Sequence, residues 1–131
     1  MNALDRLIGS WDFTMHHVAM SEPITGHQDY ERVLDDAFVL LRWTYDHPDF
    51  PDAMIFISEE RYHYFDVRGI VRIFDFDITD DGCSMVRFDD DFSQRLTARF
   101  TGPDDIEGSG EASRDAGTTW QPDFTITCRR A

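Results

Sequence analysis

Polar side chains that could bind an acid or transfer a proton stand among aromatic residues in the middle of the chain. They are Tyr62, His63, Tyr64, Asp66, Arg72, Arg87 and Gln94. Arginine binds a carboxylate through two parallel hydrogen bonds, and a histidine or tyrosine can act as a general acid or base. If the fold brings these residues into one pocket, they predict a binding site for a small acid or an acid–base active site.

Strand alternation indicates which of these side chains face inward. In 70–78 the acidic residues belong on the water-facing side, which turns Arg72 inward. In 92–100 the wet face holds Ser93 and Arg95, so Gln94 points inward. Arginine is almost never buried without a partner, and Arg72 therefore requires either a protein carboxylate such as Asp66 or the acid of a ligand.

The predicted ligand site combines this polar end with an apolar wall. Its members are Arg72, Gln94, Arg87, Phe74, Phe76, Leu96, Phe100, Phe124, Met15 and His63. The face of 61–68 that lines the site stays open, because both alternating sets contain aromatic residues. Small residues at the inward positions Gly108, Gly110 and Ala112 predict room inside the barrel. We assign no catalytic residue, no metal ligand and no cofactor.

Charge and composition narrow the classes of partner. All 12 basic residues are arginine, against 26 acidic ones, for a net charge of -14. Such a surface repels phosphate, so we expect neither nucleic acid nor a membrane as partner. Without lysine, Schiff-base chemistry is excluded. Cys83 and Cys128 lack CxxC spacing and are expected to be free thiols, and the absence of a signal-peptide pattern predicts a cytoplasmic protein.

Short alternating segments separated by turn residues predict one all-β domain over 1–131. A helical turn at 5–8 comes first. The expected strands are 11–17, 27–34, 38–45, 53–58, 61–67, 70–78, 83–88, 92–101, 106–113 and 118–130. Asp81-Gly82 marks a tight hairpin, and 46–52 with its two prolines is a loop at a barrel rim.

Gly9-Ser10-Trp11 entering the first strand, with Arg129 and Arg130 in the last, resembles the lipocalin and fatty-acid-binding (calycin) barrels. The segments 65–72, 85–95 and 106–113 further resemble a family of small bacterial lipocalin-like proteins of unknown function. The resemblance implies an antiparallel up-and-down barrel of about ten strands with a central pocket, and an arginine of the last strand packed over Trp11. It implies tryptophan where this chain has Gly110, so the cavity should be enlarged or opened there.

Four functions remain open on this reading. The barrel binds a small hydrophobic or amphipathic molecule, with a carboxylate as one option for its polar end. It is alternatively an isomerase, cyclase or decarboxylase that uses His63 or Tyr64, or a haem-binding barrel resembling the nitrobindins, although 118–131 lacks a histidine ligand. Lastly, it is a filled structural barrel. The exposed strands would permit a homodimer.

Overall fold

A computed structural model describes residues 3–90 and 92–131. A short 3-10 turn, Ala3–Arg6, precedes ten β-strands. The strands are β1 (Gly9–His17), β2 (Ile24–Val33), β3 (Phe38–Tyr45), β4 (Ala53–Ile57), β5 (Arg61–Asp66), β6 (Val71–Thr79), β7 (Gly82–Arg87), β8 (Ser93–Gly102), β9 (Asp105–Ser113) and β10 (Gln121–Arg130).

Each strand pairs antiparallel with the next in sequence, and β1 pairs with β10 to close the sheet into a barrel. Closure satisfies the backbone groups that an open sheet would leave at its two edges. The all-β, up-and-down, ten-stranded barrel predicted from the sequence is therefore confirmed. Among the described residues, no helix has the length and apolar character needed to cross a membrane.

One end of the barrel is plugged by the 3-10 turn, whose Leu4 and the following Leu7 are buried. Arg130 donates to the carbonyl oxygens of Ile8 at 2.7 Å and Arg6 at 3.0 Å, and its Cζ lies 4.2 Å from the centre of the Trp11 ring. This is the cation–π contact that the resemblance implies, made by Arg130. Arg129 points outward to Asp105. The turn itself ends two residues earlier than expected.

The conformation and surroundings of Gly9 explain why the Gly-Ser-Trp segment begins with glycine. Its φ is 123°, in the region that favours glycine, and a Cβ placed there would lie 2.7 Å from Nη1 of Arg130. A side chain at this position would both strain the backbone and displace the guanidinium that caps the plugged end. Gly9 and Trp11 of the motif therefore both serve the same contact: Trp11 packs against the Arg130 guanidinium, and Gly9 leaves the space that it occupies.

The other end of the barrel is formed by loops that hold the strand ends in place. Asp115 accepts hydrogen bonds from the backbone N–H and hydroxyl of Thr119 and from the hydroxyl of Ser113, which lower the pKa of its carboxyl to about 2. This loop delays the start of β10 to Gln121, three residues after the predicted start. At the same end β2 begins at Ile24, three residues before the predicted start.

Ser93 corrects one predicted exposure. The alternating pattern places it on the wet face, yet it is fully buried. Its Oγ donates to the carbonyl oxygen of Asp89 at 3.0 Å and accepts from the Asp89 backbone N–H at 2.9 Å. Alternation fixes the direction of a side chain but does not reveal a loop that folds over the outside of the strand.

Candidate ligand site

Two small cavities lined by described residues lie in the interior of the barrel. The outer cavity, towards the loops, has a volume of about 110 Å³ and the inner cavity, towards the plug, about 60 Å³. Four side chains line both cavities and form what we call the dividing layer: Trp43, Tyr62, Leu96 and Phe124. The outer cavity is completed by Tyr45, Ala53, Tyr64, Arg72, Phe74 and Gln94.

Arg72 and Gln94 meet in the outer cavity, although 22 positions separate them in the sequence. Arg72 Nη1 donates to Gln94 Oε1 at 3.2 Å, and the Arg72 Cζ lies 5.6 Å from the centre of the Phe92 ring. Burial lowers the pKa of Arg72, and the nearby charge of Arg87 lowers it further. Within residues 3–90 and 92–131, no carboxylate forms an ion pair with Arg72.

Asp66 is engaged elsewhere. Arg68 Nη2 donates to its Oδ2 at 2.6 Å, and the Tyr64 hydroxyl donates to the same oxygen at 2.8 Å. The hydrogen bonds from Arg68 are the largest cause of a low pKa for the Asp66 carboxyl, about 2. The carboxylate that we considered as the protein partner of Arg72 is therefore already satisfied by other groups.

The tyrosines around the outer cavity are hydrogen-bond donors at neutral pH. Burial raises the pKa of Tyr64 to about 12, and the hydrogen bond to Asp66 adds to this shift. Burial also raises the pKa of Tyr62 and that of Tyr45. A tyrosine that stays protonated well above pH 7 does not match the requirement for a general base near that pH.

His63 and Arg87 lie outside both cavities. Tyr62 and Tyr64 point inward, so alternation places His63 on the outer face, beside Phe56 of β4 and Ile73 of β6. Arg87 is held at the end of β7, where it donates to the carbonyl oxygen of Phe92 and to Asp89. These two side chains do not join the pocket in which the sequence analysis placed them.

The predicted apolar wall is divided between the cavities. Phe74 lines the outer cavity, Phe76 and Phe100 line the inner one, and Leu96 and Phe124 line both. Met15 is buried in the core but lines neither. None of the five histidines lines either cavity, so no histidine is placed to ligate a haem inside the barrel.

Phe124 occupies the space that Gly110 of β9 was expected to leave, whereas Gly108 lines the inner cavity. A Cβ placed on Gly110 would lie 2.2 Å from Phe124 Cε1, so the ring packs directly on the glycine backbone. The expectation of an enlarged or opened cavity at Gly110 is therefore wrong. The missing tryptophan of the family pattern is replaced by an aromatic ring from the neighbouring strand.

Two thiols face the inner cavity. Cys83 and Cys128 are free, and both line it with Gln28, whose Oε1 lies 3.6 Å from Cys128 Sγ. Burial raises the pKa of Cys83 to about 11 and that of Cys128 to about 12. Burial therefore disfavours the thiolate, which is the form that acts as nucleophile and metal ligand.

Sequence analysis missed Trp43 and Tyr45 as lining residues. Both belong to the inner face of β3, whose alternating positions Val39 and Leu41 are buried. Applying the alternation rule to 38–45 would have found them, since Arg42 and Thr44 mark the outer face. Trp43 stacks on Tyr45 with ring centres 5.9 Å apart, which places an aromatic wall on the β3 side of the outer cavity.

Comparison with solved structures agrees with this architecture. An S-type phycobiliprotein lyase from Guillardia theta superposes with a TM-score of 0.62 over 100% of this chain and 93% of its own, at 13% identity. A protein of unknown function from the DUF3598 family of Nostoc punctiforme gives 0.63 over 98% of this chain and 49% of its own, at 10% identity. The protein has a lipocalin-like barrel fold.

A redesigned β-barrel also superposes on this lipocalin-like barrel, with a TM-score of 0.57 over 99% of the chain and 96% of its own, at 12% identity. No family model and no curated protein matches the sequence. At these identities the likeness establishes the fold alone, because one fold hosts many functions. Function has to be argued from the cavities.

Proposed function

We propose that this lipocalin-like barrel binds a small amphipathic carboxylate in the outer cavity, with Arg72 and Gln94 at its head group. One observation carries the proposal. Arg72 is a half-buried cation that faces an aromatic-walled cavity and, within the described ranges, has a neutral amide as its hydrogen-bond partner. A carboxylate would supply the charge and the bidentate hydrogen bonds that a guanidinium is built to make.

Cavity size limits the ligand to a compact molecule. Drug-sized ligands occupy pockets of about 300–1,000 Å³, and a dry cavity of about 150 Å³ holds benzene. With about 110 Å³, the outer cavity takes a compact ligand in the size range of benzene, such as a small acid of a few carbon atoms. The lyase among the structural neighbours acts, by its name, on phycobiliproteins. At 13% identity the likeness extends to the fold, and that role is not part of the proposal.

The test compares a charged probe with an uncharged probe of the same shape. Pentanoate and pentanamide are titrated into the protein and followed by ¹H–¹⁵N NMR. In Arg72→Met the affinity for pentanoate is expected to fall about tenfold or more, because a charge-assisted bidentate contact is lost, whereas the affinity for pentanamide changes by less than about threefold.

Arg95→Met is the matched control. Arg95 lies on the outer face, where it pairs with Glu111 at 2.9 Å and stacks over Trp120. The same substitution there removes the same charge from the molecule without touching either cavity, so binding of both probes should be retained. Equal losses for pentanoate and pentanamide in Arg72→Met would contradict the role of Arg72 as the carboxylate partner.

The natural ligand can be sought independently. Native mass spectrometry of the protein purified from its own host, followed by denaturing extraction, should recover a small acid in stoichiometric amount. Recovery of a bare chain that also fails to bind pentanoate would instead support a filled barrel.

A further inference from the structure

The outer face of β4, β5 and β6 carries an apolar patch, which we call the β4–β6 patch. Its members point away from the barrel, because their sequence neighbours Ile55, Tyr64 and Phe74 face the interior. Cross-strand pairing arranges the six members in two rows, Met54, Phe65 and Val71 in one and Phe56, His63 and Ile73 in the other.

Most of the β4–β6 patch is open to solvent. Met54, Phe65, Val71 and Ile73 are 40–60% exposed. An antiparallel sheet that buries one face normally presents polar side chains on the other. The outer face of β9 follows this rule with two glutamates and a serine. The three strands of the patch depart from it together, and contiguous apolar surface of this kind marks an interaction site.

The two ends of the β4–β6 patch carry charge of opposite sign. The turn from β4 to β5 presents the exposed Glu59 and Glu60, whereas the turn from β5 to β6, residues 67–70, contains Arg68 and no acid. The Arg68 side chain is half exposed although it pairs with Asp66, whose own side chain is fully buried. The end of the patch at Arg68 therefore presents positive charge to solvent.

We propose that the β4–β6 patch joins two copies of this chain in a two-fold symmetric dimer. A two-fold contact places the patch on itself, apolar against apolar. With the axis between the copies and perpendicular to β5, the strands of the two copies run in opposite directions. Arg68 of each copy then lies near Glu59 and Glu60 of the other, so the surface is complementary to itself in charge as well.

The net charge also favours a second copy over a basic partner. At -14, the barrel offers acidic surface to a basic protein on many of its faces, whereas the members of the β4–β6 patch include no acid. For two copies that repel each other elsewhere, an acid-free apolar face is the surface on which they can approach closely.

The size of this face sets the expected strength of the dimer. Three strands about 4.8 Å apart and the length of β5, six residues, give an area of about 15 by 20 Å. With the polar rim of each copy included, the contact buries about 1,000–1,200 Å² in total, which is the lower end of specific interfaces. We therefore expect a reversible dimer with a dissociation constant of about 1–100 µM.

Sedimentation velocity of the unmodified protein tests the proposal, without any ligand and hence independently of the proposed function. Between about 5 and about 500 µM protein, the mass should rise from 15.3 kDa to twice that value. About 150 mM NaCl keeps the long-range repulsion screened. A chain that stays monomeric throughout would overturn the proposal. An open series of larger oligomers would also overturn it, because a two-fold contact closes at two copies.

Val71→Glu tests whether this face is the one used. It buries an unpaired charge in the contact and should raise the dissociation constant about tenfold or more. Ile73→Ser removes apolar surface without adding charge and should also weaken the dimer. Val18→Glu is the matched control, because Val18 is 67% exposed against 60% for Val71 and follows the end of β1, outside the patch.

The substituted residues are exposed, so each variant should melt close to wild type. Val18→Glu should dimerise like wild type. If Val71→Glu and Ile73→Ser dimerised as tightly as Val18→Glu, the copies would meet through another face and the proposal would be overturned.

Cross-linking between introduced cysteines tests the orientation of the two copies. A bismaleimide should link a Glu60→Cys copy to a Val67→Cys copy in an equimolar mixture, because the turns that carry them face each other across the axis. Wild-type protein gives the background from Cys83 and Cys128, which line the inner cavity. Efficient linking of Glu60→Cys to itself would mean parallel strands and would overturn the proposed arrangement.

Discussion

Arg68 and Arg72 lie four positions apart, and both interact electrostatically with Asp66. Arg68 takes the direct contact, since its Nε and Nη2 both donate to Asp66 Oδ2 and its backbone N–H donates to Oδ1. Arg72 is left facing the cavity. Asp66 therefore holds Arg68 and Tyr64 in place through hydrogen bonds. Because these two residues satisfy the carboxylate, Arg72 forms no ion pair with it.

Asp66→Asn should destabilise the fold in a pH-dependent way. The pKa of Asp66 is about 2 in the folded protein against an ordinary value of 3.8, so the ionised form favours folding above about pH 4. This contribution, about 1–2 kcal/mol, is lost as the pH falls through 2, because both states then bind the proton. Urea unfolding of wild type and variant should differ most at pH 7 and least near pH 2.

Asp75→Asn controls for a general effect of removing an aspartate. Asp75 pairs with Arg61 at 3.3 Å on the outer face, where both side chains are at least half exposed. Exposed pairs contribute little, so this variant should unfold close to wild type at both pH values. A difference between Asp66→Asn and wild type that does not depend on pH would contradict the electrostatic explanation.

At the scale of single residues, the sequence supplied the orientation of Arg72 and Gln94 but not their partners. The alternation rule predicts side-chain orientation correctly where acidic residues mark one face of the strand, as in 70–78. It fails at 61–66, where tyrosine, histidine and phenylalanine occupy both faces, and His63 was placed in the pocket for that reason. The alternation rule also does not predict whether Asp66 pairs with Arg68 or with Arg72, because that pairing depends on backbone geometry at the strand end.

Among the elements, the contact between β9 and β10 controls the size of the interior. Gly110 pairs with Phe124, and the register of β10 on β9 shifts between Pro122 and Phe124. The ring of Phe124 lies on the glycine backbone and forms part of the dividing layer. A single glycine in β9 thus lets a side chain of β10 separate the two cavities.

Gly110→Ala should destabilise the protein through this ring. The new Cβ would lie 2.2 Å from Phe124 Cε1, which forces the ring to move, and overpacking of this kind costs about 1–3 kcal/mol. In a Phe124→Ala background the same substitution should be neutral or stabilising, because alanine suits a strand better than glycine. Thermal or urea unfolding of the four proteins gives the coupling between the two sites.

Gly102→Ala is the matched control for this double-mutant cycle of Gly110→Ala and Phe124→Ala. Its added Cβ would have Asp105 Oδ2 as nearest neighbour at 3.5 Å, an ordinary contact. Stability close to wild type is expected there. If Gly110→Ala cost the same with and without Phe124, the ring would not be the group that the glycine accommodates.

For the elements, the sequence predicted the number and order of strands and erred mainly at their ends. Period-2 patterns identify strand interiors because burial selects alternate side chains. Strand ends depend on loop hydrogen bonds, such as those of Asp115 that delay β10. The packing of Phe124 on Gly110 was missed because it joins residues of two strands, and a pattern within one strand does not contain it.

Considered as a whole, the molecule has a strongly unbalanced charge. The net charge is -14, and the ion pairs on the outer face, such as that between Arg99 and Glu107, are mostly exposed. Mutual repulsion of the excess acidic groups disfavours the compact state, whereas each exposed pair contributes at most about 1 kcal/mol. We therefore expect repulsion to outweigh the ion pairs in the response of this protein to salt.

Raising the salt concentration at pH 7 should stabilise the fold. Between about 20 and about 200 mM NaCl the Debye length shortens from about 20 to about 7 Å, and the melting temperature is expected to rise by a few degrees. KCl at the same ionic strength should have the same effect if screening is the cause. A melting temperature that falls with added salt would show that the ion pairs contribute more than the repulsion costs.

Closure of the sheet through β1 and β10 also determines when, during synthesis of the chain, an enclosed interior can form. Trp11 pairs with Arg130, and the Ala131 backbone N–H donates to the carbonyl oxygen of Ser10 at 2.9 Å, so contacts that complete the wall join residues more than a hundred positions apart. Pairings of such long sequence separation are slow to form. A chain still emerging from the ribosome has no enclosed interior until β10 has been made, and the two cavities therefore exist only in the finished barrel.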